Sequence, residues 1–276
     1  MDTMMTTGVT MTNNQEMKMM NNIFTVGCDP ELFFRNQEKL ISVVGILGGS
    51  KTNPFPIGNG CAIQEDNVAA EFCIPPANDA KEFVASINFA LSDINNRAAK
   101  LGLTLAALTA SGEFSKDQLN NRQARTFGCD PDFNAYTGEP NPRPRTDNKL
   151  LRSAGGHVHV GTDKDIVNVV QTLDLLLGVP SVLIDKDEER RKLYGKAGCF
   201  RPKPYGVEYR TLSNFWIWNN KTIEWVYHRV GEAISFCDEF IKEVSPEETQ
   251  RIVNTINNND KDTAELLVNK WSLVLP

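Results

Sequence analysis

Three short stretches of this chain each set two side chains suited to metal or phosphate two residues apart: Gly27-Cys28-Asp29-Pro30-Glu31, Gly155-Gly156-His157-Val158-His159-Val160-Gly161 and Gly206-Val207-Glu208-Tyr209-Arg210. Successive side chains on a strand point to opposite faces, so residues i and i+2 share one. Asp29 with Glu31, His157 with His159, and Glu208 with Arg210 are therefore each expected on one side of a strand. Three such strands in one sheet would build a surface of carboxylates, imidazoles and a guanidinium, which suits divalent cations and phosphate rather than a core. Paired carboxylates favour Mg²⁺ or Mn²⁺, hard ions that take oxygen ligands and keep several waters. The His157/His159 pair would serve a zinc hydrolase equally well, so that motif does not choose the metal.

Four further stretches add candidates. In Glu65-Asp66-Asn67-Val68-Ala69-Ala70-Glu71, an unbroken strand would put Glu65, Asn67 and Glu71 on one face and Asp66 on the other, unless a bulge turned it round. Glu71, deep in the strand, reads as a metal ligand, and Asp66 and Asn67 as substrate contacts. Arg201-Pro202-Lys203-Pro204-Tyr205, ahead of Glu208 and Arg210, supplies the guanidinium forks and the ammonium that bind phosphate oxygens. Gly45-Ile46-Leu47-Gly48-Gly49-Ser50-Lys51-Thr52 resembles a phosphate loop but has Ser50 where that pattern needs Gly. A glycine-rich turn carrying Lys51 to a nucleotide is what survives. Phe127-Gly128-Cys129-Asp130-Pro131-Asp132 repeats the first motif; there Asp130, Asp132 and Tyr136 are expected to recognise substrate. His228, in the middle of a helical pattern, reads as structural.

The elements that must carry these residues follow from periodicity. Strands are expected over 23–34, 40–47, 62–74, 103–114, 151–161 and 207–213. Asn78 is a plausible N-cap for a helix over 79–101 with Phe83, Ile87, Ala90 and Ile94 on its apolar face and Gly102 ending it. Residues 115–150, rich in Asn, Arg, Asp and Pro, are too long for an ordinary connection and predict a functional loop. Residues 163–177 are helical until Gly178-Val179-Pro180 breaks them, a second helix runs to 191, and 194–205 is a basic loop. An amphipathic helix spans 221–244, and Ser245-Pro246-Glu247-Glu248 opens the first of two short closing helices. The order favours an α+β arrangement: a mostly antiparallel sheet with helices on one face, the other face open to ligand.

The 276 residues, 41% of them hydrophobic, suffice for one large domain, expected over 23–244, with a helical extension over 245–276. The formal net charge of −6 argues against nucleic-acid binding driven by bulk charge. The six cysteines lack any CxxC pairing and read as reduced cytosolic thiols, and no apolar run is expected to approach the ~20 residues of a membrane span. All seven methionines fall in the first twenty residues, among Thr, Asn and Gly, which predicts a flexible leader over 1–22 rather than a signal peptide.

From about Phe24 to Trp218 the ordered set Gly27–Glu31, Gly49-Ser50-Lys51, Asp66–Glu71, Gly155–His159 and Tyr205–Arg210 before Ser213-Asn214-Phe215-Trp216 resembles the phage-type carboxylate–amine ligases, the COOH–NH2 ligase type 2 family. That family is a remote relative of glutamine synthetase and glutamate–cysteine ligase. The resemblance implies a curved antiparallel sheet on which ATP phosphorylates a carboxylate and an amine then attacks the acyl phosphate. It assigns Asp29, Glu31, Glu71, His157 or His159, and Glu208 to a Mg²⁺ shell (Mn²⁺ possible), and Arg210, with Arg201 or Lys203, to the γ-phosphate. The implied partners are a carboxylate and an amine, whether small molecule, peptide or modified nucleobase, with no membrane, and the location is cytoplasmic, the host's if the chain is phage-encoded. Asp29 stands where the glutamate–cysteine ligases have Glu. The loop over 115–150 has no counterpart in the family pattern. A zinc-dependent amide hydrolase and an inactive nucleotide- or metal-binding protein on the same scaffold are the rival readings.

Overall fold

The computed structural model describes residues 24–125 and 132–276. The expected leader and Asp130 lie outside the described residues. Along the chain the strands are β1 (Thr25–Cys28), β2 (Glu31–Leu32), β3 (Phe34–Asn36), β4 (Lys39–Ile41), β5 (Phe55–Gly58), β6 (Cys61–Asp66), β7 (Ala69–Cys73), β8 (Thr104–Leu105), β9 (Ser111–Glu113), β10 (Phe133–Asn134), β11 (Leu151–Ser153), β12 (Val158–Gly161), β13 (Cys199–Lys203) and β14 (Gly206–Tyr209). The helices are α1 (Ala80–Lys100), α2 (Arg122–Arg125), α3 (Ile166–Leu173), α4 (Val179–Ile184), α5 (Glu188–Leu193), α6 (Asn220–Glu243), α7 (Pro246–Asn258) and α8 (Lys261–Lys270). Among the described residues every strand pairing is antiparallel, in an α+β arrangement, but the strands form several sheets rather than one: a five-stranded sheet β1-β12-β14-β13-β10, a four-stranded sheet β2-β7-β6-β5, and two smaller ones.

The five-stranded sheet separates its residues by the two-residue period. Val26, Cys28, Val158, Val160, Phe200, Val207 and Tyr209 enter one hydrophobic core with Phe83, Ile87 and Ile94 of α1, Val170 and Leu173 of α3, and Val226 and Val230 of α6. The residues between them, His159, Arg201, Lys203 and Glu208, take the opposite face. That face is not open as the sequence led us to expect. Glu208 is fully buried, and His157 and Arg210 are each 5% exposed.

Helix α1 starts one residue later than the cap expected at Asn78. Asp79 accepts from the Glu82 amide, while the Glu82 carboxylate accepts from the Asn78 amide, a reciprocal cap. Gly178-Val179-Pro180 does not break its helix. Helices α3 and α4 run on through one π turn over Asp174–Gly178, whose wider ladder absorbs the missing Pro180 N–H. The resulting helix, Ile166–Ile184, is long and apolar enough to cross a membrane by length and composition, which corrects the expectation that no such run exists; most of it is buried inside the protein.

Three other expectations change for physical reasons. Residues 62–74 are a hairpin, with Asp66 paired to Ala69 across a tight turn in which Asn67 adopts a left-handed φ of 55°. The basic segment before Tyr205 is strand β13, which pairs with β14 and thereby places Arg201 opposite Glu208. The long polar segment contains β10, which closes the edge of the main sheet against β13.

Candidate active site

Pro30 carries the chain from one sheet to the next. The amide of Asp29 donates to the His157 carbonyl (3.4 Å), that of Ile74 to the Cys28 carbonyl (3.3 Å) and that of Phe72 to the Pro30 carbonyl (3.3 Å), so the segment 28–31 lies between β12 and β7. Asp29 and Glu31 consequently serve two adjoining clusters rather than one strand face.

In the first cluster Asp29 Oδ1 lies 3.2 Å from His157 Nδ1 and 3.1 Å from His159 Nε2. The other ring nitrogen of His159, Nδ1, bonds the Tyr205 hydroxyl at 2.6 Å. Burial opposes ionisation of Asp29, but the two imidazoles outweigh it and hold the carboxyl far below its ordinary range. Burial also works against a charged His159, yet Asp29 prevails and raises its pKa. His157 goes the other way, down to about 4, because it is buried and because the Arg210 guanidinium stands beside it. Glu208 is gripped by three cations: Arg210, Lys203 at 2.8 Å and Arg201 at 3.4 Å. Against the penalty of burial, Arg210 first among them brings the Glu208 pKa down to about 2.

The second cluster is all carboxylate. Oxygens of Glu31, Asp66 and Glu71 lie within 4.8 Å of one another. Glu31 sits opposite Glu71 across β2 and β7, and the hairpin turn folds Asp66 back onto the same face as Glu71. Burial, then Asp66, pushes the Glu31 pKa up to about 7. Burial, then Asp29, Asp66 and Glu31, pushes Glu71 well above its ordinary value. Lys51 Nζ reaches Asp66 at 3.1 Å, and Gln64 Nε2 donates to Glu71 at 2.7 Å. One lysine does not balance three adjacent carboxylates. An oxygen-only donor set with excess negative charge is what a Mg²⁺-sized ion needs, and this trio fits one. Asp29, His159 and Glu208 also bring ligand atoms within 4.8 Å, but their charge is already met by histidine, lysine and arginine.

Between the clusters opens a cleft lined by Glu31, Asp66, Asp132, His157, Arg190 and Arg210, among others. Asp132 reaches Arg210 Nε at 3.2 Å. Asn67 lines the same cleft from the hairpin turn. Gly155 is required where it stands: a Cβ there would meet His157 Nε2 at 2.2 Å, and its amide donates to Glu31 at 2.7 Å.

Tyr136 is placed elsewhere. Its hydroxyl donates to Asp174 Oδ2 at 2.9 Å, inside the protein, where Asp174 also accepts from Tyr209 at 2.7 Å and from Thr211 at 3.1 Å. A buried carboxylate holding two tyrosines and a threonine is a structural hub, and it draws Tyr136 away from any substrate. The glycine-rich turn is likewise spoken for. Glu65, on the outer face of β6, accepts from the amides of Gly45 (2.9 Å), Ile46 (3.1 Å), Leu47 (3.0 Å) and Gly48 (2.9 Å). Those N–H groups bind an internal carboxylate, so Lys51 is the part of this stretch that faces the site. His228 is exposed on α6.

Sequence reasoning missed Arg190. It lies in Glu188-Glu189-Arg190-Arg191-Lys192, which reads as a solvated charge run, yet it is 3% exposed and donates to the carbonyls of Thr211 (3.1 Å) and Arg210 (3.3 Å). It missed Asn214 as well, whose Nδ2 donates to the Glu31 carbonyl at 2.8 Å. Only the motif-like Ser213-Asn214-Phe215-Trp216 hinted at it.

Fold and cleft together define an α+β protein with a partly buried acidic trio near arginines and an imidazole. Residues 152–242 match the family described as Phage phiEco32-like COOH.NH2 ligase-type 2. The match supports the resemblance read from the motifs and makes this stretch similar to a carboxylate–amine ligase. It spans His157, His159, Arg190, Arg201, Lys203, Glu208 and Arg210; Asp29, Glu31, Asp66 and Glu71 precede it. None of the curated proteins matches the chain.

Proposed function

We propose that this chain is an ATP- and Mg²⁺-dependent ligase that joins a carboxylate to an amine, giving an amide or isopeptide bond through an acyl phosphate. The observation that carries this reading is the Glu31–Asp66–Glu71 trio, of which Glu31 and Asp66 line a cleft shared with Arg210, Arg190 and His157. The trio holds the cation, with Asp29 and the imidazoles flanking it. Mg²⁺-ATP, when bound, supplies the phosphoryl group and neutralises charge on the oxygens that move.

The protein's own part is positioning. Arg210, Arg201 and Lys203 rest on Glu208, and a nucleotide phosphate is a competing anion for the same forks and ammonium. Arg190 braces the backbone at Arg210. Lys51, reaching over the trio, adds a positive charge at its far side. In the reaction the substrate carboxylate oxygen takes the γ-phosphoryl group and ADP leaves; the amine nitrogen then attacks the carbonyl, loses a proton, and expels phosphate. A zinc hydrolase is less well supported, because both imidazoles turn towards the Asp29 carboxylate, with further partners in Arg210 and Tyr205.

An ADP-release assay over a panel of amines and carboxylates, with mass measurement of the product, tests the proposal. Glu31→Gln and Arg210→Ala should each lower turnover by about 10²-fold or more while leaving the folded spectrum intact. Full activity in either folded variant removes that residue from the mechanism. Tightly held zinc without nucleotide turnover transfers the reading to the hydrolase.

A further inference from the structure

A second cleft, of about 990 Å³, lies on the other side of Arg152. It is walled by the segment around α2 and by residues 144–150. Its lining includes Lys116, Arg125, Arg145, Lys149 and Arg152 against one carboxylate, Asp147. The chain as a whole carries a net charge of −6, so this concentration of positive charge runs against the bulk. Lys116, Arg125, Arg145 and Lys149 are all exposed, and among the described residues none of the four is paired with a carboxylate.

Arg152 lines this cleft and the candidate active cleft alike. It is 6% exposed, and its guanidinium donates to the carbonyls of Ala124 (2.9 Å), Lys149 (3.0 Å) and Leu151 (2.7 Å). It therefore ties the two walls together and forms a partition between the clefts. A ligand seated among the lysines and arginines lies one side chain away from the cleft that holds Glu31 and Arg210.

We propose that this cleft binds a small polyanion, a molecule bearing two or more phosphate or carboxylate groups, as the substrate portion that is not joined. Calling it a substrate rests on the ligase reading; the binding itself does not. The volume is that of a small-molecule site. Guanidinium forks and ammonium groups recognise phosphate and carboxylate oxygens, and Asn120, Thr146 and Asn148 supply neutral hydrogen-bonding groups among them. A nucleic-acid strand fits less well. Among the described residues the lining contains no aromatic ring on which a base could stack, and the net negative charge of the chain repels a long polyanion.

Calorimetric titration of the full chain with citrate, with tripolyphosphate and with a short thymidine oligonucleotide tests this, alongside a Mg²⁺-ATP titration of the same preparation. One-to-one binding of citrate or tripolyphosphate is expected, weakening as salt rises, and whichever binds more tightly distinguishes a carboxylate source from a phosphate source. Arg145→Glu with Lys149→Glu should weaken that binding by about tenfold or more, with Mg²⁺-ATP affinity and melting temperature retained. Lys116→Glu with Arg125→Glu, on the opposite wall, should do the same. Binding of neither small anion, binding unaffected by both pairs of reversals, or binding of the oligonucleotide alone overturns the proposal. Loss of Mg²⁺-ATP binding in parallel overturns it too, since the cleft would then belong to the nucleotide. Failure of the ligase reading is seen separately, as absent ADP release in a protein that still binds the small anion.

Discussion

At the scale of single residues the site is a problem in charge placement. Glu31, Asp66 and Glu71 crowd three carboxylates into one withdrawn spot, with the Lys51 ammonium 3.1 Å from Asp66. Such an arrangement costs stability, because burial and mutual repulsion both disfavour the charged forms. Replacing Glu71 with Gln removes one charge and leaves an amide oxygen to accept from Gln64. At pH 8 without divalent cation, Glu71→Gln should therefore be more stable than the parent by about 1–3 kcal/mol in urea unfolding. The same variant should lose its response to Mg²⁺. A variant that is less stable, yet still responds to Mg²⁺ like the parent, would show that Glu71 is structural.

At the scale of elements, two hairpins do most of the assembly. The turn at Asn67 converts neighbours in sequence into facing positions and brings Asp66 round to Glu71 without the bulge that a single strand would require. The β13–β14 pair sets Arg201 and Lys203 beside Glu208. Behind them the π turn at Asp174 fixes Tyr209 and Thr211, the neighbours of Arg210. Burial raises the Asp174 pKa from its ordinary 3.8 to about 6. The folded protein then binds this proton more tightly than the unfolded chain does. The resulting stabilisation is complete below pH 3.8 and is lost as the pH rises through about 6. Relative to the parent, Asp174→Asn should thus be more destabilised at pH 4 than at pH 7, with the change confined to that window. Unfolding curves at closely spaced pH values check the slope; a difference that grows towards neutral pH contradicts the assignment.

At the scale of the molecule, the site lies where two sheets meet, and Asp29-Pro30-Glu31 is the seam. A cation bound there touches β2, β6 and β7 at once, so it should stabilise the folded chain as a whole. Mg²⁺ at saturating concentration is expected to raise the melting temperature by about 5 °C or more, and EDTA to reverse the rise. Scanning fluorimetry measures both. A melting temperature indifferent to Mg²⁺, Mn²⁺ and ATP together would leave the acidic trio without its ion.

Much of the local placement of the candidate residues was legible in their linear order. The two-residue spacing of His157/His159 and Glu208/Arg210, and the 3.6-residue period of Phe83, Ile87, Ala90 and Ile94, are local properties of backbone geometry, so they survive folding unchanged. What depended on non-local contact could not be read this way. Arg190 looks like a solvated charge until Thr211 and Arg210 offer it carbonyls, and Tyr136 looks like a substrate contact until Asp174 claims its hydroxyl. Asp29 and Glu31 look like one pair until Pro30 passes them to different sheets. Strand and helix periods fix which face a side chain takes; which distant group waits on that face is settled by the packing of sheets, and no local pattern encodes it.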